Sequence, residues 1–145
     1  MKIALLGYGK MGKVIEQIAL ERGHSIVLTK RSSDGFEGIE NADVAIDFSV
    51  PNSAVNHISE CLNRNIPIIS GTTGWLEDYD KMVDLCNQKN GSFIYGSNFS
   101  LGVNIFFELK VSPLRISLVA AIDAKAKLIV FLSSGIDFFV LPLER

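Results

Sequence analysis

Lys2-Ile-Ala-Leu-Leu-Gly7-Tyr-Gly9-Lys-Met-Gly12 decides how this chain is read, because a short apolar run passes directly into three glycines spaced G-x-G-x-x-G. The run from Ile3 to Leu6 has the pattern of a buried parallel strand. Val14, Ile15, Ile18 and Ala19 then recur at helical spacing. Strand, glycine turn and helix in that order form a dinucleotide-binding fingerprint. Gly7 permits the tight turn, Gly9 lets backbone approach a pyrophosphate, and Gly12 lets the helix pack on the strand. The helix would aim its unpaired N–H groups and positive dipole end at the phosphates. Gly7, Tyr8, Gly9, Lys10, Met11 and Gly12 are therefore the expected pyrophosphate site.

The rest of the chain fits one α/β domain. Its 145 residues suffice for a single core and fall short of two domains of ordinary size. A net charge of -2 gives no basic face for nucleic acid or an anionic membrane, so neither partner is expected. Cys61 and Cys86 lack CxxC or Cys/His spacing and read as buried free thiols, with no disulfide or metal site. Free thiols suit a reducing cytoplasm. The first apolar run is too short for a signal core, which agrees with that location.

Beyond the first helix, which ends near Gly23, strands are expected at Ser25–Thr29, Val44–Phe48, Pro67–Ser70 and Ser92–Tyr95. Helices are expected near Asn52–Arg64 and Leu76–Gln88, and the stretch Lys30–Asp43 reads as a loop or a single helical turn. This alternation predicts a Rossmann-type, doubly wound parallel sheet. Ligands of such sheets sit at the carboxyl ends of the strands. There the sequence places Gly7–Gly12, Lys30-Arg31-Ser32-Ser33, Asp47-Phe48-Ser49, Gly71-Thr72-Thr73-Gly74 and Ser97-Asn98-Phe99-Ser100. Polar loops after strands also occur in α/β domains without a ligand.

An NAD-preferring site carries an acidic residue about 20 positions beyond the glycine turn. Lys30 and Arg31 stand there instead, and a guanidinium with neighbouring Lys and Ser can hold a 2′-phosphate. NADPH is therefore expected over NADH. Two alternatives stay open: Lys30 and Arg31 as ordinary solvated charges, and Asp34 as a competing ribose partner. Asp47 reads as the cap of the next turn or a partner of its backbone rather than an acid, and Trp75 as a packing residue.

Gly7-Tyr-Gly-Lys-Met-Gly12, Ala45-Ile-Asp-Phe-Ser-Val-Pro51, Gly71-Thr-Thr-Gly-Trp75 and Asn98-Phe-Ser-Leu-Gly-Val-Asn104 follow one another at these strand ends. Over about residues 1–110 the chain resembles the 4-hydroxy-tetrahydrodipicolinate reductase (dihydrodipicolinate reductase) family. The resemblance implies NADPH- or NADH-dependent reduction of a cyclic dicarboxylate in the diaminopimelate and lysine pathway. It also implies a homo-oligomer in the family. By resemblance Gly7–Gly12 hold the pyrophosphate, Gly71, Thr72 and Thr73 line the nicotinamide side, and Ser97, Asn98, Phe99 and Ser100 close the nicotinamide pocket. The glycine loop permits close backbone approach, and the Thr72 and Thr73 hydroxyls can reach the nicotinamide amide.

The family's second half carries paired histidines, a lysine and a Ser-Gly-Thr turn, and this signature is missing from residues 111–145. The two histidines, His24 and His57, are not adjacent. His24 belongs to the amino edge of the sheet, and His57 lies about 9 Å of helical rise beyond the start of its helix. Neither is expected to act as an acid, so no catalytic residue is assigned. Residues 111–145 read as an atypical apolar tail with a possible hairpin over residues 128–141, and Asp123, Lys125, Lys127 and Asp137 interrupt any membrane span. A shifted frame or truncation is the favoured origin of this tail, and a genuine short variant is the other. The expected role of the chain is thus cofactor binding alone. A non-catalytic nucleotide-binding or interaction module is the alternative.

Overall fold

The computed structural model describes residues 1–31 and 33–104. The chain divides into two compact units, Met1–Phe99 and Ser100–Arg145. The tail at residues 111–145, with its expected hairpin, lies outside the described residues. Within the second unit, residues 101–104 are helical, and the Ser100 hydroxyl accepts the Val103 N–H at 3.4 Å.

The first unit is a five-stranded parallel sheet in the order β2-β1-β3-β4-β5. The strands are β1 (Lys2–Leu6), β2 (Ser25–Lys30), β3 (Val44–Asp47), β4 (Ile68–Ser70) and β5 (Phe93–Tyr95). They alternate with α1 (Lys10–Glu21), α2 (Pro51–Asn63) and α3 (Tyr79–Gln88). The expected Rossmann-type fold is present, and the stretch after β2 holds a single 3-10 turn at Ile39–Asn41. The helix expected from Leu76 begins instead with a separate 3-10 turn, Leu76–Asp78. Just before this turn the Trp75 indole N–H donates back to the Thr72 carbonyl at 2.6 Å.

Period-2 alternation divides β1 between two faces. Ala4 and Leu6 join Ala45 and Ile68 under α2 residues Ala54, Ile58, Cys61 and Leu62, with Met82 of α3 behind them. Ile3 and Leu5 pack under α1 through Ala19 and Ile15. Each fully buried Leu or Ile here contributes about 1.5–3 kcal/mol. Among the described residues the second face is more thinly covered. Leu5, Ile46, Ile69 and Ile94 stand in register across the sheet, and Ile94 is 58% exposed.

The strand ladder continues one residue into the loops after β1, β3, β4 and β5. Gly7 N–H donates to Lys30 O (3.0 Å), Phe48 N–H to Leu6 O (2.9 Å), Gly71 N–H to Asp47 O (2.8 Å) and Gly96 N–H to Ser70 O (3.1 Å). The four loops therefore leave the sheet from a common level. The strand order reverses between β1 and β3, so the crevice for a ligand is expected above these two ends.

Candidate functional site

A cleft of about 290 Å³ opens at that crevice, with Gly7, Tyr8 and Gly9 on one wall, Lys30 and Arg31 at one end, and Phe48, Ser49, Val50, Ser53 and His57 opposite. Backbone geometry forms the first wall. Gly7 has φ +93°, and a Cβ there would run into the Phe48 carbonyl, so glycine is required. At Gly12 a Cβ would collide with the Gly7 carbonyl, which is how α1 comes down tightly on the turn. Gly9 differs, because a Cβ built on it meets no atom within 4 Å. It stands before α1 without a side-chain cap, so the first N–H groups of the helix have no capping side chain. The turn is thus closed toward the sheet and open toward the cleft. That shape fits a pyrophosphate.

Charge is concentrated at the β2 end. Arg31 is exposed, with its guanidinium 5.6 Å from the centre of the Tyr8 ring. The Tyr8 hydroxyl donates to Glu16, and this bond holds its pKa above the usual tyrosine value. Lys30 is only 5% exposed. Its ammonium donates to the Arg31 carbonyl at 3.2 Å and to the Asp34 carbonyl, and it lies 4.9 Å from the centre of the Phe36 ring. The Lys30 charge therefore fastens the loop on which Arg31 is displayed. Asp34 accepts the Arg31 N–H at 2.8 Å and the Ser33 hydroxyl at 3.3 Å, so its carboxylate is engaged within the same loop.

A buried side-chain network supports the opposite wall. Asp47 is fully buried at the end of β3. Its Oδ2 accepts the Ser70 hydroxyl (2.8 Å) and the Thr72 hydroxyl (2.7 Å), and its Oδ1 lies 2.9 Å from His57 Nδ1. Thr72 Oγ1 in turn accepts the Ser49 N–H at 2.8 Å. Asp47 thus joins β3, β4 and α2 through side chains, where a bond to its own turn was expected. Thr72 is buried and its hydroxyl hydrogen is committed to Asp47. What it gives the site is a fixed Ser49 backbone.

Of the expected site residues, Gly7, Tyr8, Gly9, Lys30 and Arg31 wall the cleft. Lys10 and Met11 form the exposed first turn of α1. Gly71, Thr72 and Thr73 follow β4, and Ser97, Asn98 and Phe99 follow β5, beside the cleft rather than in its wall. Ser100 belongs to the second unit. Aromatic contact joins these groups: the Phe48 ring covers Gly71, where a Cβ would strike it, and meets the Phe99 ring edge-on at 6.1 Å. Ser53 and His57 were missed as site residues. The available signal was their place on the first two turns of the helix after the Asp-Phe-Ser strand end. Trp75 is buried against Tyr79, Phe93 and Tyr95, as a packing residue. Cys61 and Cys86 are free thiols, and burial pushes the Cys61 pKa up to about 12, with the Asp47 charge adding to it. No helix among the described residues is long and apolar enough to cross a membrane.

Residues 1–99 match the family described as dihydrodipicolinate reductase, N-terminus. The 4-hydroxy-tetrahydrodipicolinate reductase of Christiangramia forsetii is 52% identical over 113 residues, covering 75% of this chain and 46% of the relative. The protein of that name from Chromobacterium violaceum is 36% identical over 78 residues, which cover 54% of this chain and 29% of the relative. This chain thus spans less than half the length of either curated relative. Among solved structures, a probable dehydrogenase from Thermotoga maritima aligns with a TM-score of 0.56 at 17% identity, over 76% of this chain and 40% of that one. That likeness extends to the fold.

Proposed function

The chain belongs to the dihydrodipicolinate reductase family through residues 1–99, and on that premise we propose that it binds a nicotinamide dinucleotide for reduction of a cyclic dicarboxylate in diaminopimelate and lysine biosynthesis. The cofactor, when bound, supplies the hydride. This chain's own residues bind and orient it. The observation that carries the reading is the Gly7–Gly12 turn, rigidly closed below by Gly7 and Gly12 and open above Gly9. Backbone N–H groups at the start of α1 would meet the pyrophosphate. Arg31, displayed by the loop that Lys30 fastens, favours a 2′-phosphate and hence NADPH over NADH. Gly71, Thr73 and the Phe48–Phe99 pair at the β4 and β5 ends would take the nicotinamide side. No residue of this chain is assigned the proton-donor role.

Titration of the 145-residue chain with NADPH and NADH, followed by nicotinamide fluorescence, tests this reading. Saturable binding of both, tighter for NADPH, is the expected result. In Arg31→Ala the affinity for NADPH falls by about 1–3 kcal/mol while NADH changes little, as loss of a charge-assisted contact requires. Equal losses for both would remove the phosphate role, and no binding of either would remove the cofactor reading.

A further inference from the structure

His57 is buried yet belongs to the cleft wall. One edge of its ring is spoken for, with Nδ1 at 2.9 Å from Asp47 Oδ1. Asp47 already accepts two hydroxyl hydrogens on its other oxygen and acts as an acceptor throughout, so the hydrogen of this bond sits on Nδ1. An imidazole whose one hydrogen is on Nδ1 keeps an unshared pair on Nε2. Among the described residues no fully buried side-chain nitrogen or oxygen lacks a hydrogen-bond partner, and His57 makes no hydrogen bond besides the one to Asp47. Nε2 must therefore reach accessible surface, and the surface that His57 lines is the cleft.

We propose that Asp47 is a positioning residue that fixes the tautomer of His57, so that Nε2 stands in the cleft wall as a hydrogen-bond acceptor for the adenosine half of the dinucleotide. This rests on the cofactor reading above. Three observations select the adenosine half. The cleft runs from the glycine turn toward Lys30 and Arg31 at the end of β2, whereas the β4 and β5 loops lie outside its wall. Its volume of about 290 Å³ falls just below that of whole-ligand pockets, which run from about 300 to 1,000 Å³, and suits part of a dinucleotide. The other polar side chains of the cleft include the cations Lys30 and Arg31 and the Ser49 and Ser53 hydroxyls, so a fixed acceptor on His57 supplies what the two cations cannot. The shared ligand chemistry is an N–H or O–H donor: the adenine amino group or a ribose hydroxyl.

The test uses the full chain labelled with 15N at histidine, with adenosine 5′-monophosphate and nicotinamide mononucleotide added separately. The expected spectrum shows His57 protonated at Nδ1 alone, with the Nε2 resonance moving on addition of adenosine 5′-monophosphate and staying still with nicotinamide mononucleotide. Asp47→Asn presents an amide donor to Nδ1 and switches the ring to the Nε2–H form while keeping the pocket filled. Its affinity for adenosine 5′-monophosphate and for NADPH is expected to fall by about ten-fold, the worth of one good hydrogen bond, with nicotinamide mononucleotide unaffected. His57→Gln, which restores an acceptor oxygen, is expected to bind better than His57→Phe. A hypoxanthine analogue of the cofactor, lacking the amino group, separates the sources: immunity to Asp47→Asn identifies the amine, and continued sensitivity identifies a ribose hydroxyl. A wild-type ring carrying hydrogen on Nε2, or an unchanged tautomer in Asp47→Asn with weakened binding, overturns the proposal. Failure of the unaltered chain to bind NADPH overturns the cofactor reading itself, which is a different result from normal NADPH binding with an insensitive His57.

Discussion

The two walls of the cleft are built on opposite principles. The wall after β1 is backbone: Gly7 and Gly12 interlock, Gly9 faces open space, and side chains contribute little. The wall after β3 is held by side chains, with one buried carboxylate gathering Ser70, Thr72 and His57 from two other elements. A backbone wall can lose a glycine at the ligand face and remain folded, because nothing in the protein occupies that space. A side-chain wall has no such tolerance, since each member satisfies the others in a region closed to water.

Substitution at Asp47 is where the contrast is largest. Asp47→Ala leaves the Ser70 and Thr72 hydroxyls and the His57 Nδ1 without their acceptor, and at about 1–3 kcal/mol for each stranded donor a total loss of about 3–5 kcal/mol is expected in denaturant unfolding. A loss below about 1 kcal/mol, the size of an ordinary surface change, would show that the network adds no more than exposed contacts do. Gly9→Val is the mirror case. Binding of NADPH is expected to drop at least about a hundred-fold, or about 2.7 kcal/mol. Stability should fall by only about 1 kcal/mol, through the poorer helix cap. Equal damage to stability and binding would end the distinction between the walls.

Thr72→Val sharpens the comparison, because it removes one strut and leaves the Ser49 N–H without its acceptor. The expected loss is about 1–3 kcal/mol, with Thr72→Ser recovering most of it. Smallest is the effect at Cys61, whose thiol lies under the same face as Asp47. The folded group stays protonated to about 12 while the unfolded one ionises near the ordinary thiol value of 9.0. The raised value stabilises the folded chain below that lower limit, and the contribution fades as pH climbs toward the upper one. Alkylation at pH 8 should accordingly modify the half-buried Cys86 and spare Cys61 until the chain is unfolded. Equal native rates at both sulfurs would contradict the burial.

The backbone wall was legible in the sequence for the same reason that it tolerates Gly9→Val. Three glycines within six residues leave a local trace, and the apolar run before them supplies the strand. The sheet was equally readable, since each strand is a compact apolar run and the helices carry their own period. The side-chain wall left no such trace, because Asp47 and its partners are separated by ten to 25 positions and become neighbours only when β4 lies beside β3. Asp47 was consequently read as a local cap, and His57 as remote from the site because distance was counted along its helix rather than across to the strand. Lys30 lines the cleft where its residue type and position suggested, while the direction of its ammonium depends on carbonyls at Arg31 and Asp34 that sequence does not orient.

The ladder bonds that run one step past β1, β3, β4 and β5 have a consequence for how the molecule moves. Amide hydrogens of Gly7, Phe48, Gly71 and Gly96 are locked to carbonyls of neighbouring strands, so they exchange with solvent only when the sheet itself opens, while amides further out in the same loops without such a partner exchange more readily. A nucleotide arriving at the cleft then meets a floor that is already still. The entropy lost on association is confined to the loop segments above it and to the ligand's own rotors.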